Sequence, residues 1–219
     1  MGVARPDRIV ESMEHQRYSK MVEPAQSGPV RIRITQTAEE QGLVEMWLDY
    51  EKAQVPDRAY FADYVDVVEG RADITLVFGR LKPGTSKLRS QVEISFSRES
   101  MGQLWLSARD LHAVLEKGNK RELPPVEEVE ASELVHTSRA NNVFMAVMGE
   151  ESILDFYYIA PSEIHFVKMG RRDNVNLEPV IRISAPSPLV LEFLNKCGRV
   201  VANMPEAAAI IKMHEVSDK

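Results

Sequence analysis

Ile74-Thr75-Leu76-Val77-Phe78 and Ser152-Ile153-Leu154-Asp155-Phe156 both keep apolar residues at alternate positions, the period of a strand with one buried face. They lie 78 residues apart, and the windows 62–83 and 140–161 can be laid over one another at that spacing without a gap. Ala62 then falls on Ala140, Val65 on Val143, Leu76 on Leu154, Phe78 on Phe156 and Pro83 on Pro161. Each window reads as a strand, a turn containing Gly70 or Gly149, a second strand and a Pro-terminated exit, so one hairpin is used twice.

Working outward, each hairpin is followed by a third strand, Val92-Glu93-Ile94-Ser95-Phe96 and Ile181-Arg182-Ile183-Ser184, that runs into a helix. In the first helix Ser97 is the expected cap, Met101, Leu104, Trp105, Ala108, Leu111, His112 and Leu115 share a face, and Gly118 stops the run. In the second, Ser187 is the expected cap, Pro188 holds the first helical position, and Val190, Phe193, Leu194, Cys197 and Val201 form the buried stripe before Pro205. The second copy is longer between Pro161 and Ile181, where Ile164 to Met169 reads as an extra strand. Ahead of both copies, Val30-Arg31-Ile32-Arg33-Ile34 reads as a strand, and Leu43, Val44, Trp47 and Tyr50 behind the capping-box spacing Thr37-Ala38-Glu39-Glu40 predict a helix over 38–52.

These readings predict an α+β protein. Two tandem β-β-β-α repeats pack into one pseudo-symmetric body, with antiparallel sheets each covered by a helix, because three or four strands and one helix cannot cover both faces of a sheet alone. The expected boundaries are a flexible leader over 1–28, a first repeat over 29–118, a connection over 119–135, a second repeat over 136–205, and a C-terminal docking helix and tail over 206–219.

Ser138-Arg139-Ala140-Asn141-Asn142-Val143, then Ser152 to Phe156, then Ile181 to Ser184 and a Pro-initiated helix, resemble a small bacterial family known only as a domain of unknown function. The first copy matches more loosely, with Val77 in place of the family's aspartate and Asp63 in place of its asparagine. The resemblance covers about residues 58–117 and 136–204. It implies a repeat unit and a bacterial or phage setting, and no activity.

Composition narrows the function. With 27 Lys+Arg against 33 Asp+Glu the formal net charge is -6, which disfavours a general attraction to nucleic acid or anionic membrane. No apolar run approaches the roughly 20 residues of a membrane span and no signal-peptide region leads the chain, so a cytoplasmic protein is expected. Cys197 is the one cysteine, and His15, His112, His136, His165 and His214 lack ligand spacing, so no metal and no cofactor are expected. Cys197 sits on a core stripe and no serine has a Gly-x-Ser-x-Gly setting, so no catalytic residue is assigned and the protein is read as a non-enzyme.

Two binding readings follow. The first is an interaction or assembly module acting through homo-oligomerisation or a protein partner, since unpaired edges and faces invite another chain. The second is a single-stranded nucleic-acid-binding regulator. In it the strand aromatics, Tyr64 and Tyr157 among them, stack bases near Lys82, Lys87, Arg89, Lys168, Arg171 and Arg172. The order of elements is similar to that of the single-strand-binding Whirly and Pur folds. Asp155 alternates with Leu154 and Phe156, so it faces away from them; an exposed acid is the favoured expectation, and a carboxylate that binds a partner is the functional one.

Overall fold

The computed structural model describes residues 30–35, 43–49, 52–85, 87–118, 123, 133–171 and 175–205. The leader, the C-terminal docking helix, Arg172 and most of the 119–135 connection lie outside these residues.

In chain order the elements are β1 (Val30–Thr35), β2 (Leu43–Leu48), β3 (Ala59–Phe61), β4 (Tyr64–Glu69), β5 (Asp73–Leu81), β6 (Leu88–Ser97), α1 (Arg98–Gly118), β7 (Glu133–Arg139), β8 (Asn142–Met148), β9 (Glu151–Tyr158), α2 (Pro161–Lys168), β10 (Glu178–Pro186) and α3 (Ser187–Ala202). The fold is α+β, with mixed sheets and, among the described residues, three helices.

One sheet runs β4-β5-β6-β7 and the other β8-β9-β10-β3, while β1 and β2 pair separately. The hairpins are antiparallel, but β7 lies parallel to β6 and β3 parallel to β10, so the expected purely antiparallel sheets are corrected to mixed ones. The edge strand of each sheet comes from the far part of the chain. β3, joined to β4 through Ala62 and Asp63, pairs in the sheet of β10, whereas β7, joined to β8 through Ala140 and Asn141, pairs in the sheet of β6.

The pairing details agree at a spacing of 78 residues. Val65 stands opposite Phe78 as Val143 stands opposite Phe156, and Val67 opposite Leu76 as Met145 opposite Leu154. The Ala62 N–H donates to the Ser184 carbonyl at 2.9 Å, and the Ala140 N–H to the Ser95 carbonyl at 3.1 Å. Asp63 Oδ1 accepts the Leu81 N–H at 2.7 Å, as Asn141 Oδ1 accepts the Ile159 N–H at 2.7 Å. Replacing asparagine by aspartate at 63 keeps the acceptor that locks this strand end and loses the bond that Asn141 Nδ2 donates to the Ile159 carbonyl.

A single buried cluster joins both sheets and both long helices. Phe78 and Phe156 meet edge to face with ring centroids 5.7 Å apart, and Phe193 and Phe96 pack beside them. Trp105 of α1 lies against α3 at Gly198, where a Cβ would come within 2.8 Å of the indole.

Local expectations were overturned in three places. Residues 43–48 form strand β2 rather than a helix, because Val44, Met46 and Leu48 fall at alternate positions and β1 supplies antiparallel backbone partners, with Val30 opposite Leu48. Ile164 to Lys168 is helical, since Pro161 at the first helical position and Glu163 in the first turn start α2 instead of a strand. Ser187 does not cap α3. Its hydroxyl is held by the Gly149 carbonyl at 2.8 Å and Ser152 Oγ at 2.9 Å, and Pro186 takes the cap position without a side-chain bond. Ser97 does act as a cap, accepting the Ser100 N–H at 3.1 Å.

Candidate binding clefts at the exchanged strands

The two exchanged strands bring Arg58, just ahead of β3, against His136 of β7, with Arg58 Nη1 3.1 Å from His136 Nδ1. They border a cleft of about 520 Å³ closed by Tyr158 at the end of β9 and by Glu178 and Pro179 at the start of β10. The proton arrangement follows from chemistry. A guanidinium only donates, so His136 Nδ1 accepts and Nε2 carries the hydrogen, which it donates to Ser138 Oγ. The Ser138 hydroxyl hydrogen is then free to donate to something else.

A serine at hydrogen-bond distance from a histidine has the outline of an activated nucleophile, and the third group decides against it. A relay needs a carboxylate on Nδ1 to hold the imidazolium that forms. Here Arg58 occupies that place and donates to Nδ1, so the ring has no carboxylate partner there. The chemistry left to these groups is donation of hydrogen bonds.

A second cleft, about 270 Å³, shares Arg139 and Tyr158 with the first and continues past Asn141 to the first turns of α1 and to Lys168 on α2. Gln103 Nε2 is buried beside it with no hydrogen-bond partner among the described residues. Arg139, where the two clefts meet, has no ion-pair partner among those residues.

The residues singled out from sequence separate into three groups. Asp155 is 3% exposed and forms a bidentate pair with Arg182, 2.6 Å from both Nε and Nη2, so the expectation of an exposed acid is corrected. The adjoining part of its face is covered: Tyr157, 2% exposed, packs with Leu48, Ile159, Val167 and Leu177. Burial raises the Tyr157 phenol above its ordinary value, the Asp155 carboxylate adds to the rise, and Arg182 works against it. Tyr157 therefore offers no ring face for stacking, and neither do Phe78 and Phe156 in the core.

Tyr64 is half-buried on β4, with Lys196 Nζ 5.8 Å from its ring centroid, and its phenol is likewise raised, first by burial and then by Asp66. Lys82 and Lys87 lie on the β5–β6 connection, where the Lys82 N–H donates to the Lys87 carbonyl across a turn with Gly84 at φ 73°, and Arg89 lies at the start of β6. Lys168, the last residue of α2, and Arg171 lie between β9 and β10, so the basic residues come from two separate parts of the chain.

Sequence reasoning missed Arg58, Ser138, Arg139 and Arg182. The signal was present for the first of them. Arg58 and His136 occupy the same position in the two windows once these are extended four residues towards the N-terminus. Among the described residues no group of three or more His, Cys, Asp or Glu is placed to hold a metal ion, and no helix is long and apolar enough to cross a membrane. Cys197 is fully buried, and burial pushes its thiol up, out of the range where a thiolate forms. No family model matches the chain, and neither the curated proteins nor the solved structures contain a match to it.

Proposed function

We propose that the chain is two copies of one β-β-β-α unit, over 29–118 and 136–205, closed into a pseudo-symmetric body that serves as a non-catalytic interaction or assembly module of a bacterial or phage cytoplasm. The common register at 78 residues, the matching bonds at Asp63 and Asn141, and the reciprocal exchange of β3 and β7 support the first half of this reading. The bacterial setting rests on the family resemblance of the second unit.

One observation carries the interaction reading. The outer face of the β8-β9-β10-β3 sheet is covered around Tyr157 by Leu48, Val167 and Leu177, leaving Phe61, Phe144 and Met148 exposed towards its edges. On the corresponding face of the β4-β5-β6-β7 sheet, Thr75, Val77, Glu93 and Ser95 are only half-buried, and neither buried cluster among the described residues is seated on them. Val68 and Val135, on its two edge strands, are 49% and 51% exposed. A sheet face carrying these groups gains by burial against another surface, and a second copy of this chain, pairing the same patch across a twofold axis, is the occupant we assign. The nucleic-acid reading is less well supported, because Phe78, Phe156 and Tyr157 are buried and Arg139 on that open face stands among the acids Glu93 and Asp66.

Sedimentation of the full chain tests this. The wild type is expected to be a dimer at micromolar concentration, and Val77→Lys, which puts a charge in the middle of the face without touching the core, is expected to give a folded monomer. A wild-type chain that stays monomeric, or a Val77→Lys chain that dimerises unchanged, removes the assigned interface.

A further inference from the structure

We infer that the cleft where Arg58 meets His136 is a binding site for a phosphorylated polyol or sugar. The cleft lies where β3 and β7 cross, and of its donors Arg139 stands beside Ser95 at the border of the open sheet face. Three donors from three positions line it: the Arg58 guanidinium, the Ser138 hydroxyl and the Arg139 guanidinium. His136 takes a bond from Arg58 on one nitrogen and gives one to Ser138 on the other. Both of its neighbours are thereby oriented, and the serine hydrogen is directed elsewhere. His136 is thus a positioning residue.

Donors approaching from different directions suit the three terminal oxygens of a phosphate monoester better than the two coplanar oxygens of a carboxylate, and guanidinium forks match phosphate geometry. Arg139 has no acidic partner among the described residues, so its charge is available to a ligand. Asp57 and Glu178 line the same cleft and are ion-paired to neither arginine. Carboxylates beside a phosphate site repel a bare polyanion and accept bonds from hydroxyl groups. The fitting molecule therefore carries phosphate at one end and hydroxyls at the other, and a cleft of about 520 Å³ holds one of small size.

Titration of the full chain with glycerol phosphate, inorganic phosphate and glycerate, followed by calorimetry and by the amide and imidazole resonances of His136 and Ser138, decides the matter. Glycerol phosphate is expected to bind more tightly than inorganic phosphate, and glycerate more weakly than either. Ser138→Ala at a half-buried position and Arg139→Gln at an exposed one are each expected to weaken glycerol phosphate about tenfold, the loss of one bond to a charged acceptor. Glu178→Ala is expected to abolish its advantage over inorganic phosphate. Arg80→Gln, whose cation lies over Phe61 outside the cleft, is expected to change nothing. The assignment is overturned by the absence of saturable binding at millimolar ligand, by glycerate binding as well as glycerol phosphate, or by Arg80→Gln weakening binding as much as Arg139→Gln does.

Discussion

Tyr157 shows how one side chain reports the closing of a sheet face. It alternates with Phe156 along β9, which puts it on the face opposite the main core, yet it is as buried as its neighbour because Leu48, Val167 and Leu177 lie over it. Its phenol is raised by that burial and by the Asp155 carboxylate. An unfolded tyrosine ionises near its ordinary value of about 10, and the folded one only at higher pH. Between these values the unfolded chain holds fewer protons than the native one, so the contribution is fully present below about pH 10 and is lost as pH rises through the folded value. Urea midpoints are expected to be flat up to about pH 10 and to decline beyond it, with Tyr157→Phe declining less steeply than the wild type. Parallel curves for the two proteins would mean that the phenol does not feel its burial. Arg182 responds in the opposite sense to its desolvation: the bonds it donates to Asp155 hold it charged, which is why the carboxylate that alternation alone assigned to solvent can sit inside.

At the scale of elements, the α1–α3 contact depends on a missing side chain. Gly198 lies mid-helix, where glycine costs up to about 1 kcal/mol against alanine, and the gap it leaves is filled by the Trp105 ring. Beside that ring, at 5.3 Å between centroids, His112 of α1 is bonded to Asn195 of α3 at 2.8 Å. Gly198→Ala therefore gains helix propensity and loses packing. With its Cβ 2.8 Å from an indole hemmed in by His112, the loss is expected to win, and chemical denaturation should find the variant about 1–2 kcal/mol less stable. The double variant Gly198→Ala, Trp105→Leu should cost less than the sum of the two single changes. The stripes containing Trp105 on α1 and Cys197 on α3 were legible in the sequence because helical periodicity is local, and so were β4, β5, β8 and β9, whose alternation is local too. Ile164 to Val167 was misread because a short run of alternating apolar residues fits either period, and Pro161 with Glu163 decided for the helix. β2 was misread because Leu43, Val44 and Trp47 also satisfy helical spacing, and only the pairing with β1 favours a strand. The cleft was invisible for a different reason: it exists only where β3 and β7 cross to the opposite sheets, and nothing local in Ala59-Tyr60-Phe61 announces a parallel partner at Arg182 to Ser184.

At the scale of the molecule, that crossing governs how the chain comes apart. The β8-β9-β10 sheet is completed by β3, supplied from ahead of β4, and the β4-β5-β6 sheet by β7, supplied from ahead of β8. Neither half can unfold without withdrawing an edge strand from the other and uncovering the cluster in which Phe78, Phe96, Phe156 and Phe193 meet. Two independently stable domains of this size would melt separately; interlocked ones should share one transition, although the chain exceeds the length at which single transitions are the rule. The chain has two tryptophans, so in a Trp47→Phe background fluorescence reports Trp105 at the α1–α3 contact, while far-ultraviolet circular dichroism reports both halves as a whole. The two urea curves are expected to coincide. A core change in the second half, Phe156→Leu at a fully buried site, costs about 1–1.5 kcal/mol and should lower the midpoint seen by Trp105 as much as the one seen by dichroism. If Trp105 kept its wild-type midpoint while the dichroism split into two steps, β3 and β7 would be ornaments on separate domains rather than the struts that join them.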